Sequence, residues 1–255
     1  MDLIARSRGD EKHDASSYST LEVIDVLYDV MRFDPERPDW EGRDRFILSK
    51  GHGPLAFYAV LVKHGFFPAR ELDRFLTWDG ILGAHPDRNR VPGVEASTGS
   101  LGHGLPLGCG MALAGRIKGE NYRVFALLSD GENNEGSVWE AAMFAAAQKL
   151  ENVCVVVDYN KWQATARSNE TLMLAPLRDK WAAFGWDAHE IDGHDVGALA
   201  QAMQNIPNGS GKPVALIAHT VKGKGVSFME DDNNWHYRAP TAEEVAKAHK
   251  ELGLA

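Results

Sequence analysis

Residues 122–160 read YRVFALLSDGENNEGSVWEAAMFAAAQKLENVCVVVDYN, and the reading of this stretch decides the fold. Two near-continuous apolar runs, 122–130 and 152–160, flank an alanine-rich segment with helical spacing at 136–150. Unbroken Val/Leu runs separated by a helix mark parallel strands covered on both faces. A right-handed crossover sets such strands side by side or nearly so, with their carboxyl ends on one edge. Asp130 and Asn160 therefore meet in space, at the edge where open parallel sheets bind ligands.

The two residues carry metal-binding chemistry. Asp130 offers a carboxylate and Asn160 an amide carbonyl, both hard oxygen ligands. Mg²⁺ prefers oxygen and is usually held by one or two protein groups plus phosphates. Gly131 has no side chain, so its N–H can approach a phosphate oxygen. A helix opening near Gly136 adds a positive dipole end. The set suits a metal-bound diphosphate, although the spacing alone leaves an ordinary Asp-Gly turn open.

Outward from this unit the alternation continues. Helices are expected at 16–31, with serines as caps, and at 54–65, stopped by Gly65. DRFILSKGHGP (44–54) is a short strand running into a glycine-rich loop. Residues 82–105 form a long glycine-rich loop, a kind of segment that is usually functional inside a compact domain. A small-residue helix follows at 105–119, then helices around 174–185 and 196–206, strands at 187–192 and 214–220, and a last helix at 241–252. The expected fold is α/β, a parallel sheet flanked by helices on both faces, forming one domain over 1–255.

Composition narrows the function classes. A net charge of -9 argues against a nucleic-acid partner, which needs a basic surface. Cys109 and Cys154 form no CxxC pair, so neither a disulfide framework nor a zinc site is expected, and a reducing cytoplasm fits. No apolar run reaches the 18 or so residues of a membrane span, and the first residues carry no signal-peptide pattern.

DGENNEGSVWEAA followed by DYNKWQ is similar to the thiamine diphosphate motif of transketolases, GDG followed by N. FILSKGHGPLAFYAVL, GAHPDRNRVPGVEASTGSLGHGL and HTVKGKGVSFMEDDNNWHYRAPTAEE resemble further blocks of the same family's N-terminal domain, in the same order. The resemblance implies a thiamine diphosphate-binding fold and ketol transfer from a ketose to an aldehyde. It implies Mg²⁺ held by Asp130, Asn160 and the main-chain carbonyl of Trp162, with Gly131 N–H on the diphosphate. Ser129 stands where the family usually has glycine.

Other roles come from the same likeness. His52 would touch the diphosphate or the bound intermediate, and His85 the substrate hydroxyls. His236 would lie near the cofactor, although Tyr237 replaces the usual following glycine. His13 corresponds to the first active-site histidine, in a neighbourhood that reads KHDASS in place of GHxGGS. In GSLGHGL, Gly99 and Leu101 would approach the cofactor through backbone groups, and His103 replaces a common glutamine. Glu135 resembles the glutamate at the paired-site interface. Ser137 and Glu140 have capping-box spacing. Lys222 and Lys224 are either a solvated loop or the rim of the cofactor site, and the other five histidines are read as surface or core residues.

In transketolases the glutamate that activates the aminopyrimidine ring, and the phosphate-gripping arginines, lie in the following pyrimidine-binding domain. The chain is thus expected to be half of a split enzyme, completed by a partner subunit in an α₂β₂ assembly. The alternatives are an α-type subunit of another thiamine enzyme, acyloin-forming or 2-oxo-acid decarboxylating, and a non-catalytic nucleotide-binding module.

Overall fold

The computed structural model describes residues 15–236 and 238–254; His13 and Tyr237 lie outside that range. Five strands are β1 (Arg45–Leu48), β2 (Val124–Ser129), β3 (Val153–Tyr159), β4 (Asp187–Asp192) and β5 (Val214–His219). They form one sheet in the order β1-β2-β3-β5-β4, and every neighbouring pair is parallel. The two runs that bracket the alanine-rich helix are adjacent, with Ser129 level with Asp158.

Because side chains alternate across a strand, the sheet feeds two cores. Phe46, Leu48, Phe125, Leu127, Cys154, Val156, Leu216 and Ala218 face one side. There they meet α2 (Leu21–Val30), α3 (Pro54–Lys63) and α8 (Val196–Gln204). Val124, Ala126, Leu128, Val155, Val157, Ala215 and Ile217 face the other. That side is covered by α4 (Gly104–Lys118), α5 (Gly136–Ala147) and α7 (Leu177–Ala183). Trp181 and Trp186 close this second layer, their rings 4.8 Å apart, and each buried aromatic of this kind contributes roughly 1.5–3 kcal/mol. Small residues on α4 allow close packing: a Cβ at Gly115 would meet the Tyr122 ring at 2.7 Å.

Three expectations need correction. The helix over 16–31 is broken into α1 (Ala15–Tyr18) and α2, because hydroxyls compete with the helix ladder. Ser19 Oγ donates to Ser16 O at 3.1 Å, and Thr20 Oγ1 donates into the carbonyls of Ser16 and Ser17. The helix expected around 174–185 is shorter, α7, which starts only after Pro176, since proline lacks the N–H a helix interior needs; a separate single turn, α6 (Ser168–Thr171), precedes it. Ser137 and Glu140 make no capping box; Glu135 is the N-cap of α5, and Ser137 Oγ donates to Gly102 O at 2.8 Å. The last helix, α9 (Ala242–Glu251), does carry one, between Thr241 and Glu244. Among the described residues no helix is long and apolar enough to cross a membrane.

Candidate active site

A cleft of about 460 Å³ opens at the carboxyl edge of the sheet. The segment after β1 supplies Lys50 and His52, the turn after β2 supplies Asp130, Gly131, Asn134 and Glu135, and the loop after β3 supplies Asn160, Trp162 and Gln163. Lys222 and His236 enter from beyond β5, and His85, Gly99 and Leu101 from the long loop. Of the residues expected to act in catalysis or to bind cofactor or metal, His52, His85, Gly99, Leu101, Asp130, Gly131, Glu135, Asn160, Trp162 and His236 line this cleft, and His13 lies outside the described residues. His103 and Lys224 are apart from the cleft: His103 is exposed, its Nδ1 2.9 Å from Leu101 O, and Lys224 lies 3.7 Å from Glu230.

The floor of the cleft is anionic and buried. Asp130 is fully buried and caps a 3-10 turn, Gly131–Asn134. Its Oδ1 accepts from Gly131 N at 2.9 Å, so the amide expected to face a phosphate is held by the preceding carboxylate. Its Oδ2 accepts from Ser168 Oγ at 2.6 Å. Burial, with the neighbouring Asp158 charge, pushes the Asp130 carboxyl up to about 7.

Asp158 has a different solution. Lys50 Nζ lies 2.6 Å from its Oδ2, and Ser19 Oγ donates to the same oxygen at 2.9 Å. Thr220 Oγ1 donates to Oδ1. Burial opposes ionisation there, but the Lys50 charge and these bonds hold the carboxyl below its ordinary range. Asn160 Nδ2 donates to Asp158 Oδ2 at 3.0 Å. That bond fixes the amide so that Oδ1 points the other way, where it accepts from Trp162 N at 3.0 Å.

A third carboxylate ties the walls. Glu132 Oε1 accepts from Gly102 N at 2.8 Å and from Ser49 Oγ, and Oε2 accepts from Ser129 N at 3.3 Å. Three chain segments thus meet on one side chain that never reaches solvent. Tyr58, buried in α3, shares its hydroxyl between the carbonyls of Gly83 and His85 at 2.9 and 3.0 Å and so holds the GAHP loop. At the top, Lys222 Nζ lies 2.9 Å from His236 Nδ1. Burial, aided by the Lys50 charge, lowers the Lys222 ammonium to about 8.

The cleft therefore sets the buried carboxylates of Asp130 and Asp158 among the buried ammonium groups of Lys50 and Lys222, a pattern that fits a cation bridging to an anionic group. Among the described residues no three His, Cys, Asp or Glu side chains converge as a metal cluster. A cation here would draw on Asp130, on amide and main-chain oxygens, and on oxygens of its ligand, as Mg²⁺ bound with phosphates does. Two buried polar atoms of the lining, Asn134 Oδ1 and Gln163 Nε2, have no hydrogen-bond partner among the described residues and leave an acceptor and a donor for a ligand.

Lys50, Asp158, Glu132, Ser168 and Tyr58 are not found by sequence reasoning. Asp158 stands two positions before Asn160, and Lys50 two before His52, and that adjacency is the only signal the sequence carries for them.

Comparison with known proteins gives this arrangement a context. The family described as "Transketolase, thiamine diphosphate binding domain" matches residues 1–255. An apulose-4-phosphate transketolase subunit from Phocaeicola vulgatus is 41% identical over 241 residues, 94% of this chain and 85% of that protein. A 6-deoxy-6-sulfo-D-fructose transketolase subunit from Clostridium sp. (strain MSTE9) is 40% identical, over 94% of this chain and 88% of that one. A transketolase crystal structure from Pichia stipitis is similar with a TM-score of 0.84 at 25% identity, covering 94% of this chain and 40% of that chain. The chain thus spans less than half the length of that transketolase.

Proposed function

The chain belongs to the transketolase family, through its thiamine diphosphate-binding domain, and from that premise we propose that it is the diphosphate- and metal-holding subunit of a two-component ketol transferase. In this reading the whole chain is one diphosphate-binding domain working in the cytoplasm, and the pyrimidine-binding domain with its activating glutamate comes from a partner subunit. The names of two relatives, each a transketolase subunit covered over most of its length, support that division. An α₂β₂ assembly is the simplest closed arrangement of two such chains. Exposed apolar residues on neighbouring helices, Leu107 and Ile117 on α4 and Met143 and Phe144 on α5, support a protein-covered face.

The observation that carries the proposal is the burial of Asp130. A carboxylate out of water, offered among the described residues only Gly131 N–H and Ser168 Oγ while Lys50 serves Asp158, is kept ionised by a bound cation. Asp130, Asn160 Oδ1 and the Trp162 carbonyl would hold Mg²⁺. Gly131, Gly99, Leu101 and Glu135 would line the cofactor, with Lys222 and His236 beside its diphosphate. Thiamine diphosphate, when bound, supplies the carbon nucleophile that carries the two-carbon unit. His52 and His236 would donate hydrogen bonds to oxygens around the reacting centre, and His85 would orient the substrate hydroxyls. His13 is assigned to the same wall on the resemblance alone. The relatives' sugar substrates make a ketose phosphate or sulfonate the first donor class to test.

The test is calorimetric titration of thiamine diphosphate with Mg²⁺ into the parent chain and Asp130→Ala. Loss of metal-dependent binding in the variant is expected, with Asn160→Ala weakened less. Unchanged affinity in Asp130→Ala would remove the assignment.

A further inference from the structure

Asp231 joins two halves of the cleft without lining it. Its Oδ1 accepts from Trp162 Nε1 at 2.8 Å and from Arg167 Nη1 at 2.6 Å, and its Oδ2 accepts from Arg167 Nη2 at 2.7 Å. The Arg167 guanidinium also lies 3.7 Å from the centre of the Trp162 ring. Trp162 and Arg167 pair across an antiparallel bridge, and Ser168 N donates to Lys161 O at 2.9 Å, closing 161–168 into a hairpin. The hairpin begins next to Asn160 and ends at Ser168, whose hydroxyl reaches Asp130.

On its other side, Asp231 N donates to Lys222 O at 2.9 Å, and Asn233 Nδ2 adds a strut to Ala164 O at 3.2 Å. One residue thus fixes the hairpin of the acidic floor against the segment that carries Lys222 and His236. It does so at φ 56, a left-handed conformation that Asp and Asn tolerate better than most side chains. The tight turn beneath it needs Gly223, where φ is 74 and a Cβ would lie 2.4 Å from Met229 O.

We propose that Arg167 and Asp231 form a positioning clamp, which sets the Trp162 carbonyl and Asn160 against Lys222 and His236 before any ligand arrives. The cation site and the phosphate site are then formed together. This inference rests on the metal and diphosphate reading above. A partly exposed ion pair contributes little to global stability, but a bidentate pair adds geometric definition to the loop it closes. The benefit falls on binding, because a loop already ordered loses less freedom when ligand binds.

The experiment compares the full chain with Arg167→Leu, Asp231→Asn and the double variant, titrated with thiamine diphosphate in the presence of Mg²⁺, beside thermal unfolding of the ligand-free proteins. Each single variant should bind about tenfold more weakly, and the double variant no more weakly than the worse single, because the clamp breaks only once. Ligand-free midpoints should stay within a few degrees of the parent. Affinities within twofold of the parent, or losses that multiply in the double variant, overturn the clamp. If Asp231→Asn is itself poorly folded, Arg167→Leu decides on the same criterion. Asp130→Ala run in parallel separates the two readings: normal binding there removes the metal site, whereas its loss with Arg167→Leu unaffected removes the clamp alone.

Discussion

Lys50 Nζ lies 2.6 Å from Asp158 Oδ2, and both side chains are closed off from solvent. The pair sits directly behind Asn160, whose amide is oriented by the same Asp158 oxygen. Breaking such a pair from one side is far more damaging than removing both charges, since a lone buried charge keeps its full desolvation cost.

Lys50→Met should therefore destabilise the ligand-free chain by about 3–5 kcal/mol, and adding Asp158→Asn should recover most of that loss. Urea unfolding with unchanged slope is the appropriate readout. A Lys50→Met chain as stable as the parent would show that Asp158 is neutral in the folded state.

Lys222 gives stability a defined pH dependence. Its ammonium titrates near 8 in the folded chain, because burial penalises the charge, against 10.5 for the ordinary side chain. Between those values the unfolded state holds a proton that the folded state has released, so stability rises with pH through that window. Below pH 8 the buried charge costs about 3 kcal/mol. Lys222→Met should thus be more stable than the parent at pH 7, and the gap should narrow by pH 10. A gap that is constant with pH, measured by denaturant unfolding, contradicts this. A bound phosphate would reverse the preference and recharge Lys222, so binding near pH 8.5 should take up a proton.

Tyr58→Phe removes the hydroxyl through which α3 holds the carbonyls of Gly83 and His85. The expected stability loss is about 1 kcal/mol, that of one hydrogen bond. If His85 faces the substrate, both Tyr58→Phe and His85→Ala should impair turnover of the reconstituted enzyme while leaving cofactor affinity intact. A fall in cofactor affinity equal to the fall in turnover would place His85 on the cofactor instead.

The sheet and the edge that carries the cleft are legible in the sequence because they depend on local periodicity: two buried strands and a crossover bring Asp130 and Asn160 to the same edge whatever the rest of the chain does. The supports are not legible. Lys50 and Asp158 are 108 positions apart, Ser168 and Asp130 are 38 apart, and no residue spacing links them. The break after Tyr18 has the same origin. Ser19 turns its hydroxyl toward Asp158, 139 positions away, and toward Ser16 O, and the helix gives way there. The capping expectation at Ser137 fails because its partner, Gly102 O, belongs to a loop whose path only the tertiary structure defines.

In the function proposed above, this chain holds the metal and diphosphate of an active site completed by another polypeptide. Ketol transfer from a ketose donor, assayed with this chain alone at saturating thiamine diphosphate and Mg²⁺, tests it most directly. The chain alone should show no turnover, and a pyrimidine-domain partner should restore activity at a one-to-one ratio, with tighter cofactor binding in the mixture. Robust turnover by the isolated chain would contradict it.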